Sequence, residues 1–201
     1  SHWREKEEKV WEVLVVNIRM PGEARHPLLL AKENIMNINY RKANRNDLPE
    51  IVLMVQNAIR VMEDNHIHQW DELYPTEEDF ENDIQNGDLY VGILEEQIAV
   101  VFALNQECDE DYQYGEWMHP ERPYYVIHRL CVNPVFQHRG VASKAMQYIE
   151  DLLKDMGAQA IRLDVFSSNP YSQKLYASAG YVKTGTVEWR KGKFYLMEKY
   201  I

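Results

Sequence analysis

A strand, a tight turn and a helix follow one another without a linker in residues 124–156, and this stretch constrains the fold most strongly. Tyr124–Val132 is rich in β-branched and aromatic residues, which predicts a buried strand ending at Asn133-Pro134. After Gly140 the apolar residues recur at the spacing of a helix with one buried face, and Gly157 is placed to end it. These apolar residues are Ala142, Ala145, Met146, Ile149, Leu152, Leu153 and Met156.

The turn between this strand and helix reads Gln137-His138-Arg139-Gly140-Val141-Ala142. The first N–H groups of a helix have no intrahelical partners and favour an anion. Gly140 has no Cβ and Ala142 has only a methyl group, so a polar ligand can approach the backbone. The P-loop Lys-Ser/Thr and the three glycines of a dinucleotide turn are both missing. We therefore predict a diphosphate site over residues 137–143, up to Ser143; the alternative is a turn that merely starts a helix.

A second segment, residues 169–181, reads Asn-Pro-Tyr-Ser-Gln-Lys-Leu-Tyr-Ala-Ser-Ala-Gly-Tyr. Together the two segments resemble the GNAT N-acetyltransferase family. Its members have Q/R-x-x-G-x-G/A between a core strand and a long helix, followed by N-x-x-A-x-x-L-Y-x-x-x-G-F/Y. Ser172 stands where the family has Ala. The resemblance covers about residues 37–201, most of the chain.

The pattern of elements agrees with the fold that this resemblance implies. Strands and hairpins come first and strand–helix units later, which predicts a mixed sheet covered by helices. Asp47 with Glu50, and Thr76 with Asp79, have the spacing of helix-capping pairs. The resemblance implies an α/β (α+β) fold, with a mostly antiparallel sheet flanked by helices and strands 4 and 5 splayed apart.

The chain divides at Met36, where a typical member of the resembled family would begin. Residues 36–201 are predicted to form one acetyltransferase-like domain. Residues 1–35 are predicted to be an N-terminal extension, with a tag-like Ser1-His2 and strand-like composition at residues 10–18.

Composition excludes several classes of function. The formal net charge is −10, and no basic face is evident, which argues against nucleic-acid binding. The two cysteines, Cys108 and Cys131, are too few for a disulfide scaffold. No apolar run approaches the length of a membrane span. We expect a cytoplasmic protein with no membrane partner.

The resemblance also implies how acetyl-CoA, as co-substrate, would be held. The opened core strand would present Leu130, Cys131 and Val132 to the acetyl and pantetheine groups, with the Leu130 N–H stabilising the developing oxyanion. Asn169 would help hold the pantetheine arm, and Tyr176 would protonate the departing thiolate. The alternatives are an ordinary paired strand, a helix cap and a core aromatic residue, respectively.

The group that accepts the amine proton is less evident, because residues 124–132 contain no carboxylate. His128 is two residues before Leu130, so strand alternation predicts both side chains on one face of the sheet. An imidazole there can accept a proton directly or through water. A histidine satisfied by hydrogen bonds in the core is the alternative.

The acceptor site is predicted between the first two helices, at Trp70, Asp71 and Tyr74. Aromatic rings beside a carboxylate suit a cationic amine, although the rings can equally anchor a loop to the core. His66 and His68 have no second cluster of ligands nearby, so no metal is expected.

These features predict transfer of an acetyl group from acetyl-CoA to a primary amine by direct attack. The acceptor would be a small molecule or a protein amine. A module that senses acyl-CoA without transfer is the alternative from another class. Dimers are common in the resembled family, so a homodimer is one state to test.

Overall fold

A computed structural model describes residues 36–201. The predicted extension, residues 1–35, lies outside the described residues. The strands are β1 Asn39–Lys42, β2 Leu89–Leu94, β3 Gln97–Asn105, β4 Tyr124–Val132, β5 Ala160–Phe166, β6 Val182–Trp189 and β7 Gly192–Tyr200. The helices are α1 Leu48–Asp64, α2 Glu77–Gln85, α3 Val141–Asp155 and α4 Pro170–Ser178. Short 3-10 helices lie at Arg45–Asp47, Glu110–Tyr114 and Pro134–Phe136.

The seven strands form one sheet in the order β1-β2-β3-β4-β5-β7-β6. Every neighbouring pair is antiparallel except β4 and β5, which are parallel. One face of the sheet packs against α3 and α4, and the other packs against α1 and α2. The predicted mixed, mostly antiparallel sheet flanked by helices is confirmed. Across residues 36–201, none of the helices combines the length and apolar character needed to span a membrane.

Strands β4 and β5 separate soon after they begin. Their pairing covers only Tyr124 with Ala160, Tyr125 with Ile161, and Val126 with Arg162. From Ile127 onward β4 stays paired with β3, with one shift in register, but has no register partner on β5. The predicted splay of strands 4 and 5 is therefore confirmed, and it leaves a gap between the two strands.

A β-bulge interrupts β4 where it borders this gap. Ala103 pairs with His128 and Val101 pairs with Cys131, so Arg129 and Leu130 have no register partner on β3. Arg129 has a φ of 50°, in the left-handed region that non-glycine residues rarely adopt. Bulges of this kind bend a strand and are common beside active sites.

The Arg129 side chain holds the bulge to α2. Its guanidinium donates two hydrogen bonds to the Asp83 carboxylate, at 2.6 and 2.5 Å, and a third to the Tyr74 hydroxyl at 3.1 Å. Arg129 and Asp83 are both buried. A bidentate pair has a fixed geometry, so it stabilises the strained backbone in one conformation.

One of the two predicted helix caps is wrong. Thr76 and Asp79 form the expected capping box at the start of α2. Asp47, in contrast, makes no side-chain cap for α1. Its carboxylate instead accepts hydrogen bonds from the Asn44 backbone and from the Arg41 side chain. The carboxylate is therefore bound to residues that precede the helix.

Breaking the buried pair is expected to destabilise the protein far more than breaking an exposed pair on the same helix. Asp83→Asn leaves the Arg129 charge buried without its partner, which typically costs about 3–5 kcal/mol. Glu81→Gln, which breaks the exposed contact with Arg45, should cost less than about 1 kcal/mol. Urea unfolding of both variants measures the difference, and equal losses would contradict this role of Asp83.

Candidate active site

The predicted diphosphate turn has the backbone of an anion site. Helix α3 begins at Val141 with Gly140 as its N-cap residue, and no side chain caps it. Gly140 has a φ of 79°, and the space that a Cβ would occupy there is open. The first N–H groups of α3 are therefore available to a ligand from outside the helix.

The remaining turn residues differ in how accessible they are. Val141 and Ala142 are buried under the helix start, whereas His138, Arg139 and Ser143 are exposed. Arg139 forms an ion pair with Glu95 in the β2–β3 turn, at 2.7 Å. The buried amide nitrogen of Gln137 makes no hydrogen bond within residues 36–201. The turn therefore contains a buried polar donor that no other group among the described residues binds.

Residues Leu130, Cys131 and Val132 border the gap, as predicted. Leu130 follows the bulge and has no register partner on β3 or β5, so the geometry suits an N–H donor to a bound carbonyl. Cys131 is buried on the α1/α2 face. Burial raises the pKa of its thiol, which disfavours the reactive thiolate.

Tyr176 lies on α4, in the core between the sheet and α3. The side chain is fully buried, and its hydroxyl makes no hydrogen bond within the described residues. Burial raises the pKa of this phenol well above its usual value, so the hydroxyl stays protonated. A buried hydroxyl without a partner is costly, and this feature is typical of a site built for a ligand.

Asn169 caps α4. Its side-chain oxygen accepts a hydrogen bond from the Ser172 N–H at 3.1 Å, and its amide nitrogen donates to Gln69 at 3.0 Å. The side chain is thus engaged within the protein at both ends. Its predicted contact with a pantetheine arm stays a prediction.

The predicted placement of His128 beside Leu130 on one face is wrong. His128 lies opposite Ala103, whose side chain faces α1 and α2, whereas Leu130 packs in the α3/α4-side core. The bulge at Arg129 breaks the alternation on which the prediction depended. His128 is fully buried and bonds Asn105 through Nε2 at 2.7 Å, and burial lowers the pKa of its imidazole well below the usual value.

Asp164 is the site residue that the sequence analysis missed. It lies on β5 where the pairing with β4 has ended, and it is fully buried. Its Oδ2 accepts a hydrogen bond from the Tyr112 hydroxyl at 2.6 Å, while Oδ1 has no hydrogen-bond partner among residues 36–201. Burial raises the pKa of this carboxyl well above its usual value. The sequence signal that could have indicated this residue is a carboxylate between Leu163 and Val165, in an otherwise mostly apolar strand.

The three predicted acceptor residues all contribute to holding their loop. Trp70 and Tyr74 are buried edge to face, with ring centroids 6.5 Å apart. Asp71 is paired with Arg190 and Lys191 in the β6–β7 turn, at 2.8 and 3.2 Å. The loop is therefore anchored on both sides. The indole nitrogen of Trp70 is buried without a hydrogen-bond partner in the described part of the chain.

A groove of about 570 Å³ lies between α1 and the loop leading into α2. Its apolar lining comes from Val52, Val55, Ile59, Pro75 and Phe80. The charged lining consists of four carboxylates and one arginine, namely Asp71, Glu63, Glu72, Glu77 and Arg60, and Gln56 and Thr76 complete the groove. None of the lining residues belongs to β4 or β5, so the groove is distinct from the gap between those strands. Among residues 36–201, no group of three or more His, Cys, Asp or Glu side chains has metal-binding geometry.

Comparison with known proteins agrees with this geometry. Residues 56–181, more than half of the chain, match the sequence model of the Acetyltransferase (GNAT) family. The chain belongs to the GNAT acetyltransferase family, and membership supports an acyltransferase.

Individual relatives are more distant. The uncharacterized N-acetyltransferase YdgE of Bacillus subtilis (strain 168) is 28% identical over 71 residues, which cover 35% of this chain and 45% of that protein. The chain thus matches about half the length of this curated relative. A GNAT-family acetyltransferase from Streptococcus agalactiae 2603 has a TM-score of 0.72 at 25% identity, over 82% of this chain and 95% of that chain.

One distant structure contains the expected co-substrate. The yncA protein of Salmonella typhimurium, solved with acetyl-CoA, has a TM-score of 0.56 at 15% identity, over 81% of this chain and 93% of that chain. At this identity the likeness concerns the fold alone.

Two glycines at opposite ends of α3 offer a matched test of the anion site. Gly140 and Gly157 both have positive φ and open space at the Cβ position, so alanine at either should cost about 1–2 kcal/mol of stability. Only Gly140→Ala should also weaken acetyl-CoA binding, by about 10-fold to 100-fold, the equivalent of one charge-assisted hydrogen bond. Calorimetric titration measures both affinities, and equal affinities would argue against the site.

Proposed function

We propose that this protein is an N-acetyltransferase that transfers the acetyl group of acetyl-CoA to a primary amine by direct attack. The single observation that carries the proposal is a pair of buried polar atoms that have no hydrogen-bond partner among residues 36–201, the Tyr176 hydroxyl on α4 and Asp164 Oδ1 on the strand that borders the gap. One is a proton donor and the other can accept a proton. Amine acetylation from a thioester needs both.

Binding of acetyl-CoA would use the backbone at two places. The N–H groups at the start of α3 would hold the diphosphate, and Gln137 would add a side-chain donor. The free edge of β4 would hold the pantetheine arm along Leu130, Cys131 and Val132. The Leu130 N–H would then lie where the carbonyl oxygen gains negative charge.

Proton transfer would use the Asp164 carboxylate first and the Tyr176 hydroxyl second. The Asp164 carboxylate takes one proton from the acceptor ammonium, and the freed nitrogen lone pair attacks the carbonyl carbon. As the C–S bond breaks, the Tyr176 hydroxyl donates its proton to the sulfur. A second proton from the new C–N nitrogen restores the Tyr176 hydroxyl, and Asp164 releases its proton to solvent. The products are an amide, a free thiol and one proton.

Asp164 suits the proton-acceptor role better than His128 does, for geometric reasons. Asp164 lies on the strand that borders the gap, and its Oδ1 has no hydrogen-bond partner in the part of the chain that the structure describes. His128 bonds Asn105 and faces the same side of the sheet as Ala103, away from Leu130.

The acceptor we propose is cationic. A buried carboxylate without a counter-ion is costly, and an ammonium group supplies the missing charge. The exposed rim of the groove carries Glu63, Glu72 and Glu77, which attract the same charge. A small-molecule amine and a protein amine both satisfy this requirement.

Removing the Tyr176 hydroxyl is expected to slow catalysis without weakening the fold. Tyr176→Phe keeps the ring but loses the proton donor, so kcat for thiol release should fall about 10²-fold to 10⁴-fold. Acetyl-CoA affinity and unfolding free energy should change little, because the hydroxyl makes no hydrogen bond to any described residue that the substitution would break. Tyr181→Phe, whose ring lies 5.8 Å from that of Tyr176, is the matched control and should retain activity.

The wild-type protein also separates transfer from sensing. A panel of primary amines with acetyl-CoA should yield thiol release on at least one acceptor. Stabilisation by acetyl-CoA without turnover on any amine would favour an acyl-CoA sensor instead.

Asp164→Asn and His128→Gln together identify the proton acceptor. Asp164→Asn should lower kcat about 10²-fold to 10⁴-fold, while His128→Gln should change it only a few-fold. Burial raises the pKa of Asp164, so wild-type kcat/KM should rise with pH through that raised pKa as the carboxylate forms. The reverse ranking of the two variants in steady-state assays would assign the role to His128.

A further inference from the structure

The β3–β4 connection, residues 106–123, crosses the α1/α2 face of the sheet and reaches Asp164. Residues 106–122 are acidic and rich in turn-forming residues, which is typical of a surface loop, yet Tyr112 among them is only 2% exposed. Its ring lies in the same core cluster as Trp70 and Tyr74. Among the described residues, Tyr112 donates the only hydrogen bond that the Asp164 carboxylate accepts.

Three contacts fix the position of Tyr112. The Trp117 indole donates to the Tyr112 carbonyl at 2.8 Å, and the two rings pack with centroids 5.8 Å apart. The Trp189 indole on β6 donates to Asp111 at 2.9 Å. The Glu116 N–H donates to the Thr184 carbonyl, also on β6, at 2.8 Å. The loop is thus docked on the far edge of the sheet.

Gly185 shows how closely the loop approaches β6. A Cβ at Gly185 would lie 3.2 Å from both the Gly115 Cα and the Tyr114 carbonyl oxygen, which are backbone atoms. Any larger side chain there must push the loop away from the sheet. The position of Tyr112 therefore depends on a residue that touches neither Tyr112 nor Asp164 in the observed contacts.

We infer that Tyr112 is a positioning residue for the proposed transfer, which orients the Asp164 carboxylate so that Oδ1 alone receives the acceptor ammonium. This inference rests on the proposed function. With Oδ2 occupied at 2.6 Å, the carboxylate has one oxygen for the ligand and a fixed plane. The β3–β4 loop then forms part of the active site rather than a surface connection.

The hydrogen bond also favours the ionised form of the carboxylate. A donor to a carboxylate lowers its pKa, so loss of the Tyr112 hydroxyl should raise the pKa of Asp164. The other groups that act on Asp164 are Arg129 on β4, which lowers its pKa, and Asp109 in the loop, which raises it. Tyr176 on α4 is also electrostatically coupled to Asp164 and stays neutral. None of these three is altered by Tyr112→Phe.

The test compares Tyr112→Phe with Tyr114→Phe, an exposed tyrosine in the same 3-10 helix. Tyr112→Phe should lower kcat/KM for the amine at neutral pH about tenfold or more and move the acid limb of the pH profile to higher pH, with acetyl-CoA affinity unchanged. Tyr114→Phe should match the wild type. Gly185→Val should reproduce the Tyr112→Phe profile because it displaces the loop. A Tyr112→Phe profile that superimposes on the wild type would overturn the inference.

A second measurement does not depend on turnover. The Asp164 carboxyl carbon can be titrated by NMR in the CoA-bound protein, and its pKa should be higher in Tyr112→Phe than in the wild type. An unchanged titration would overturn the inference even if the enzyme is active. If the wild type acetylates no amine but this titration shifts, the proposed transfer fails while the positioning role of Tyr112 stands.

Discussion

The buried contact between Arg129 and Asp83 holds β4 in one conformation where it has separated from β5. Strand β4 pairs with β5 through Val126 and then must leave it without leaving β3. The bulge at Arg129 achieves this by adding a residue to one strand only. The backbone of Arg129 is strained because it adopts the left-handed region. The bidentate hydrogen bonds to Asp83 on α2 hold it in that conformation. A buried ion pair often contributes little net stability, but it can fix one conformation, and here that conformation opens the gap.

The gap separates two groups with opposite tasks and similar surroundings. Tyr176 lies on the α3/α4 side and Asp164 extends to the α1/α2 side, and both are fully buried. Burial raises the pKa of both groups, so both favour their neutral, protonated forms in the free protein. A charged state at Asp164 becomes favourable when a cation arrives. Under the proposed function, binding of an ammonium group would therefore be coupled to the formation of the base that the reaction needs.

The sequence was sufficient where local chemistry decides the structure. The strand–turn–helix around Gly140, the capping box at Thr76 and the hairpins all follow from periodicity, glycine and capping residues within a few positions of one another. The predicted helix cap at Asp47 is wrong because Arg41, six residues away, binds the same carboxylate. The prediction of the sheet face that His128 occupies is wrong because alternation assumes a regular strand. No local sequence signal marks an arginine whose backbone adopts the left-handed region. The Tyr112–Asp164 bond joins residues 52 positions apart, and only the folded sheet brings them together.

The charge of the acceptor would be recognised weakly at the exposed rim of the groove and more strongly at the buried Asp164. The carboxylates on the groove rim are exposed to solvent, where salt screens their attraction over about 8–10 Å. Asp71 is the groove carboxylate that lies within the anchored loop, and its charge is already neutralised by Arg190 and Lys191. The rim therefore attracts cations without discriminating strongly among them. Asp164 is buried, so an acceptor without a positive charge would leave that carboxyl protonated and unable to act as a base. In the proposed reaction, selectivity for an amine would thus arise from the same group that enables it to react.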